Sequence, residues 1–426
     1  LRILIVGSGG REHALAWKLN KSPSVKEIFI APGNGGTWEF GENIAVQDDD
    51  LPGLVNLAKE KKIDLVVAGP ELPLVLGLSN ALAKEGILCF GPNAYAAQLE
   101  GSKAFAKSLM REANVPTADF QSFDDYDRAR EYVSEQEFPL VIKADGLAAG
   151  KGVVVARSKS EALIALEEMM SKKVFGAAGE RVVIEEALEG EEASFLAFCD
   201  GHNIVALPSS QDHKPIGEGD TGLNTGGMGA YSPAPVLPPD RYEEITNLAI
   251  RPLIQTLNVY EQPFQGVLYA GLMMTDSGPK VLEYNVRFGD PECQPLMMRL
   301  DADLAELMLA CVQGNLDKVD VSWSEETALC VVLAAHGYPG AYKKGMEIKG
   351  VEKAEKLDKV KVFQAGTKKE EGRILSSGGR VLGVTALGAD LSEAKDQAYE
   401  AVNCIEFENC YYRRDIGEKG LKRSKL

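Results

Sequence analysis

The chain has 426 residues, 45% of them hydrophobic and 26% charged, which excludes a disordered polypeptide and, at ~150 residues per domain, a single ordinary domain. Acidic residues outnumber basic ones, 63 to 46, for a net charge of −17; this argues against a nucleic-acid-binding surface, and no apolar run approaches the ~18 residues of a membrane span. The seven cysteines form no CxxC pair and the sequence shows no secretion signal, so reduced thiols and a cytoplasmic location are expected.

The first hundred residues alternate strands and helices. RILIV (2–6), EIFIA (27–31), DLVVAG (64–69) and ILCFG (87–91) read as strands. REHALAWKLNKS (11–22), PGLVNLAKEKK (52–62) and LVLGLSNALAKEG (74–86) read as helices. This βαβ alternation predicts an open parallel sheet with ligands at the carboxyl ends of its strands. GSKAFAKSLMREANV (101–115) is a helix ending near Pro116, and FQSF (120–123) begins a unit of strands and helices that runs to about Leu188. Several strands and a glycine-rich stretch fill 190–322. The last hundred residues carry strands ALCVVLAA (328–335) and RVLGVTAL (380–387) and the helix SEAKDQAYEAVNCI (392–405). The polar interval between Gly314 and Glu326 is the best candidate for the last linker, which divides the chain at 1–100, 101–189, 190–322 and 323–426. The ending Ser424-Lys425-Leu426 spells a peroxisomal address and equally reads as a solvated basic tail.

Three glycine-rich segments invite phosphate. Gly7-Ser8-Gly9-Gly10-Arg11-Glu12 follows a strand and opens a helix, but Glu12 stands at the third glycine of a dinucleotide fingerprint. Strand two ends in Ala31-Pro32-Gly33-Asn34 with no acid for a ribose hydroxyl, so a nicotinamide enzyme is disfavoured. The loop remains either a phosphate cradle aided by Arg11 or a tight strand-to-helix turn. Lys143-Ala144-Asp145-Gly146-Leu147-Ala148-Ala149-Gly150-Lys151-Gly152 is one residue short of a P-loop and has Gly152 where Ser or Thr belongs. Between strands PLVIK and VVVA it reads as a glycine hairpin able to fold over a triphosphate, or as a flexible tip. Asn224-Thr225-Gly226-Gly227-Met228-Gly229, preceded by Asp212, His213 and Lys214, allows close backbone approach to a ligand, or is a surface loop. In VVIEEALEGEE (182–192) a strand runs into acidic residues, as an adenine-contacting hinge would.

The most informative stretch is KVLEYNVRFGDPE (280–292). Side chains alternate along a strand, so Glu283 and Asn285 share a face. A carboxylate and an amide oxygen suit Mg²⁺, which completes its octahedron with waters and phosphates. Arg287 follows in line. Taken alone, the stretch is equally a polar strand face. The four histidines make no zinc spacing, and no nucleophile elbow is present.

The order of these segments decides. GSK with Lys103, VIKADGLAAGKGV with Lys143, VIEE and LEYNVRFGDPE together resemble the ATP-grasp superfamily. GSGGREHALAWK, APGNGGT, SSQDHK, NTGGMGAYSPAP and GGRVLGVTALG narrow the resemblance to the glycinamide ribonucleotide synthetase (phosphoribosylamine–glycine ligase) family, from Leu4 to about Gly417. That resemblance implies an N-terminal open α/β domain, an ATP-grasp core of two subdomains, 101–189 and 190–322, and a C-terminal β-rich α+β domain. It implies ATP-dependent joining of glycine to 5-phosphoribosylamine through a glycyl phosphate, with Mg²⁺ or Mn²⁺ on Glu283 and Asn285, and a monomer. Lys103 and Lys143 would hold phosphates under the hairpin of Gly146, Gly150, Lys151 and Gly152. Glu185, Glu186 and Leu188 would frame adenine, and Glu192 the ribose. Arg287 would stabilise the transferring phosphoryl group, Asp212 would orient glycine's amine, and Thr225, Gly226 and Gly227 its carboxylate. Gly9, Gly10, Arg11 and Asn34 would take the ribose phosphate. The alternatives are another ATP-grasp carboxylate–amine ligase or a non-catalytic nucleotide-binding module. The strand reads EYN where the family often has EFN, and the preceding strand, 269–274, carries no carboxylate, which leaves the number of metal ions open.

Overall fold

The first hundred residues fold as their alternation predicts. Strand Arg2–Gly7, with residues 3–6 fully buried, pairs in parallel with Glu27–Pro32 on one side and Leu65–Ala68 on the other. Glu42–Asn43 and Leu88–Phe90 complete a five-stranded parallel sheet. Continuous Val, Ile and Leu runs suit strands buried on both faces. The predicted 74–86 helix is instead two, Leu72–Val75 and Leu78–Lys84, because Gly77 takes φ +97° between them. The computed structural model describes residues 1–147 and 152–424. Gly150 and Lys151 of the glycine hairpin, and Lys425 and Leu426 of the tail, lie outside the described residues.

Helix Lys103–Glu112 is capped by the Ser102 hydroxyl, which accepts from the Phe105 amide at 3.1 Å. It stops short of the predicted Val115, and Asn114 turns to φ +55° ahead of Pro116. Next comes an antiparallel sheet in the order Phe120–Phe123, Val182–Glu186, Leu140–Ala144, Val153–Ala156. Helices Tyr126–Glu135 and Lys159–Leu166 cover it, and Ala129, Val133, Ile142, Leu166 and Ile184 form a separate small core.

A second antiparallel sheet runs Ile204–Ala206, Glu191–Asp200, Gln265–Thr275, Gly278–Asn285. A third has the order Gln211–Asp212, Gly229–Ser232, Thr327–Ala335, Arg380–Gly388, Val360–Gln364, with Cys410–Tyr411 also on Thr327–Ala335. Its strands come from both sides of residue 322, so the end of the glycine-rich stretch is not a surface loop. Residues 229–232 are a buried strand within the C-terminal sheet. Helix Leu391–Val402 packs Ala394, Ala398 and Ala401 into the same continuous core that reaches Leu4 and Val281.

The 314–326 interval is held rather than free. The buried Arg299 donates to the Ser324 and Glu326 carbonyls and the Ser232 hydroxyl, and Leu316 is buried. All seven cysteines are free, and five are buried. No helix among the described residues is long and apolar enough to cross a membrane.

Candidate active site

Strand Gly278–Asn285 sets Glu283 opposite Gly271 and Asn285 opposite Tyr269. Gly271 leaves the space that Glu283 occupies: a Cβ there would lie 3.2 Å from Glu283 Cγ. Tyr284, between the two polar residues, points into the core and donates its hydroxyl to the Ala249 carbonyl. The Lys214 ammonium lies 3.3 Å from Glu283 Oε1 and 3.1 Å from Glu192 Oε2. Lys214 first, then Lys143 and Lys103, bring the Glu283 carboxyl down to about 2 against the opposing effect of burial. Burial disfavours the Lys214 charge, but Glu192 and Glu283 outweigh it and hold the ammonium well above its ordinary range. The residues predicted for metal and for ribose are thus joined through one lysine.

Arg287 is fixed on several sides. Its Nε donates to Glu71 at 3.2 Å, Nη2 to Glu100 at 2.5 Å and to Asn285 Oδ1 at 3.3 Å, and Nη1 to the Phe288 carbonyl at 3.3 Å. Glu71 lies in the turn after the parallel strand Leu65–Ala68, so the N-terminal sheet reaches the end of strand Gly278–Asn285 through a charge pair. Burial pushes the Glu100 carboxyl up to about 7, with Arg287 opposing. Burial also opposes ionisation of Glu71, but Arg287 and Arg11 hold it below the usual carboxylate range.

The predicted phosphate lysines converge from two elements. Lys103, opening its helix, donates to the Gly146 carbonyl at 3.1 Å, and Asp145 ties the hairpin base to the helix through Ser102 and the Ala104 amide. Lys143 lies 3.0 Å from Glu185 Oε2, and Lys107, one turn beyond Lys103, lies 3.1 Å from the same oxygen. Gly146 packs on Ala178, with no room for a Cβ. Gly152 follows directly on the undescribed residues and is buried. Glu186 turns aside to Lys280 at 2.9 Å, and Leu188 lies in the loop that leads to Glu191–Asp200.

Asp212 accepts from the His213 amide at 2.7 Å. Burial, then Glu292, push its carboxyl well above the carboxylate range. Glu292 is itself held by the Tyr269 hydroxyl at 2.6 Å and the Ser194 hydroxyl at 3.2 Å. The Thr225 hydroxyl donates to the Lys214 carbonyl at 2.7 Å and accepts from the Gly227 amide at 2.9 Å. Arg380 of the C-terminal sheet donates to the carbonyls of Gly226 and Asp290, each at 2.6 Å. Gly227 has φ +109°, and a Cβ there would lie 2.5 Å from Asp212 Oδ1 and from Pro291 Cδ. Gly227→Ala is expected to cost about 1–3 kcal/mol through strain, as read by thermal unfolding.

The 9–11 loop is filled from within. The Gly9 amide donates to Glu12 Oε2 at 2.5 Å, and Arg11 lies 2.6 Å from Glu12 Oε1 and donates to the Phe288 carbonyl at 3.0 Å. Gly10 abuts Gln294, with a built Cβ 2.6 Å from its amide nitrogen. Asn34 donates to the carbonyls of Ser8, Gly9 and Gln364, and its oxygen accepts from the Gly36 and Thr37 amides. These residues lock the loop between the N-terminal sheet, the 288–294 turn and the C-terminal sheet.

Sequence reasoning passed over Lys107, Glu71, Glu100, Glu292 and Arg380, and chose Asp212 but not Lys214. A signal existed for two of them: Glu292 ends the GDPE segment and Lys107 lies four residues after Lys103. Among the described residues no three carboxylate, imidazole or thiolate side chains form a metal cluster; one carboxylate and one amide fit an ion that also takes ligands from phosphates and water.

The family Phosphoribosylglycinamide synthetase matches in three parts: its N domain over residues 1–100, its ATP-grasp (A) domain over 101–293 and its C domain over 328–419. Phosphoribosylamine–glycine ligase of Rhodopirellula baltica is 51% identical over 426 residues, covering 98% of each chain. The crystal structure of the Thermotoga maritima phosphoribosylamine–glycine ligase is 35% identical and superposes with a TM-score of 0.82, over 98% of this chain and 100% of that one. The biotin carboxylase domain of Hydrogenobacter thermophilus 2-oxoglutarate carboxylase, solved with MgADP, ADP and bicarbonate, shares the fold at a TM-score of 0.76 and 15% identity, over 96% of this chain and 91% of that one. The chain belongs to the phosphoribosylglycinamide synthetase family of ATP-grasp ligases.

Proposed function

We propose that the protein joins glycine to 5-phosphoribosylamine at the expense of ATP, giving glycinamide ribonucleotide, ADP and phosphate, a step of purine biosynthesis. The observation that carries this reading is the convergence of Lys103, Lys143 and Lys214, with Glu192 beyond it, around Glu283 in a chain that matches the family nearly end to end. Phosphoryl transfer needs mainly positioning and charge neutralisation. Glu283 and Asn285 would hold Mg²⁺ or Mn²⁺, which when bound neutralises phosphate oxygens.

A glycine carboxylate oxygen attacks the γ-phosphorus, the bond to the β-phosphate oxygen breaks, and ADP leaves. The sugar amine nitrogen then attacks the glycyl carbonyl carbon, the carbon–oxygen bond to phosphate breaks, and the nitrogen loses a proton. Lys103 and Lys143 hold the phosphates, Glu192 the ribose and Arg287 the transferring group. Asp212, buried beside Glu292, would orient glycine's ammonium. The free cysteines fit a reducing compartment such as the cytoplasm. ADP release should require both glycine and phosphoribosylamine generated in situ; equal ADP release with another amino acid and no sugar amine would sink the assignment.

A further inference from the structure

Glu185 sits at an unbalanced junction. Two ammonium groups, Lys143 at 3.0 Å and Lys107 at 3.1 Å, share its Oε2, while its Oε1 is buried with no hydrogen-bond partner among the described residues. Two cations on one carboxylate leave a net positive charge in a site where Lys107 and Glu185 are each 2% exposed. The cations are held differently. Lys107 also donates to the Thr117 hydroxyl at 2.7 Å, and that hydroxyl donates to the Val281 carbonyl at 2.5 Å, which pins Lys107 to strand Gly278–Asn285. Among the described residues the only other bond of Lys143 is a long one, 3.4 Å, to the Leu282 carbonyl.

We propose that Lys107 is a positioning residue that serves as the standing counter-ion of Glu185, so that Lys143 can leave this carboxylate for a nucleotide phosphate. The inference rests on the reading of Lys143 as a phosphate ligand. Without Lys107 the exchange would strand a buried carboxylate, and an uncompensated buried charge is costly. With it, Glu185 keeps one partner throughout, and the surplus charge meets the incoming triphosphate.

Burial, which outweighs Glu185, brings the Lys107 ammonium down to about 8. Around it stand Lys103 and Arg111 on its own helix, Glu185 and Glu186 on Val182–Glu186, Lys143 on Leu140–Ala144, and Lys280 on Gly278–Asn285. Loss of the Lys107 proton above about pH 8 leaves Glu185 dependent on Lys143.

Titration calorimetry with ADP and initial rates test this. Lys107→Met, close in size, should weaken ADP binding and raise the KM for ATP about tenfold at pH 7.5, with the KM for glycine unchanged. In the wild type, ADP affinity should fall between pH 7.5 and 9; in Lys107→Met it should stay low throughout. Adding Glu185→Gln to Lys107→Met should restore the affinity of Glu185→Gln alone, since no carboxylate is then left to satisfy. Unchanged ADP affinity in Lys107→Met, or a double variant whose losses simply add, would overturn the proposal. Lys143→Met tests the underlying reading separately: unchanged ADP affinity there removes the phosphate role of Lys143, whatever Lys107 does.

Discussion

Replacing Glu283 by Gln is expected to lower kcat about 10³-fold, equivalent to about 4 kcal/mol of barrier, with the fold intact. The residue is the one carboxylate of strand Gly278–Asn285, and Asn285 on the same face offers only an amide oxygen. Lys214, before any other group, holds the carboxyl at about 2. It therefore stays ionised across the working pH range, and the wild-type profile should show no titration from it between pH 5 and 9. Gln keeps the shape that Gly271 accommodates but carries no charge for a divalent ion. Lys214 keeps Glu192 at 3.1 Å, so the thermal midpoint should move little. ADP release at saturating ATP and glycine is the measurement, with thermal unfolding as the control. Activity within threefold of wild type would remove Glu283 from the metal site.

That pair was legible because strand alternation is local: two residues of period two share a face whatever else the chain does. The same holds for Lys103 and Lys143, each at the end of a recognisable element. Their partners were not legible. Arg287 is fixed by Glu71 and Glu100, 216 and 187 residues away, and no local pattern reports such a contact. Lys107 follows Lys103 by about one helical turn, and a lysine there ordinarily reads as solvated; only the sheet packed over the helix shows that it is buried. Gly229–Ser232 lacks the alternation of a strand, and it becomes one because Thr327–Ala335 supplies its hydrogen-bond partners. Four of the five strands of the first hundred residues were plain because they are unbroken apolar runs between helices; Glu42–Asn43, polar and two residues long, gave no such signal. In the Gly9 loop the amide, which suits an anion, is already met from within the chain by Glu12, three residues on.

The second large effect is expected at Arg413. Its side chain is fully buried, yet it is charged and forked over a surface hairpin. Nε and Nη2 reach the two oxygens of Asp415 at 2.8 and 2.6 Å, while Nη1 donates to Asp220 at 3.0 Å and to the Pro215 carbonyl at 3.0 Å. Asp415 also accepts from the Gly219 amide at 2.8 Å, and Lys419 pairs with Asp220. The hairpin strand Thr221–Asn224 is exposed along its whole length, so these bonds rather than apolar burial hold the hairpin down. Its two ends are joined by the Thr225 amide on the Lys214 carbonyl, which places Lys214 at one foot and Thr225 at the other. Arg413→Met leaves Asp220 with Lys419 alone and Asp415 with only the Gly219 amide among the described residues, and is expected to cost about 3–5 kcal/mol. Arg413→Lys should recover less than half, because an ammonium cannot span both Asp415 oxygens and Asp220 together. Burial raises the Asp415 carboxyl, but the hydrogen bonds from Arg413 and the Gly219 amide prevail and bring it to about 2, below its ordinary 3.8. A depressed carboxylate contributes stability that is fully present above about pH 4 and lost as the pH falls toward 2. The acid unfolding difference between wild type and Arg413→Met should therefore narrow over that window, as followed by urea melts at pH 7, 4 and 2.5. A difference that stays constant down to pH 2.5 would show that Arg413 acts by packing alone and that the hairpin is held by something other than its charge.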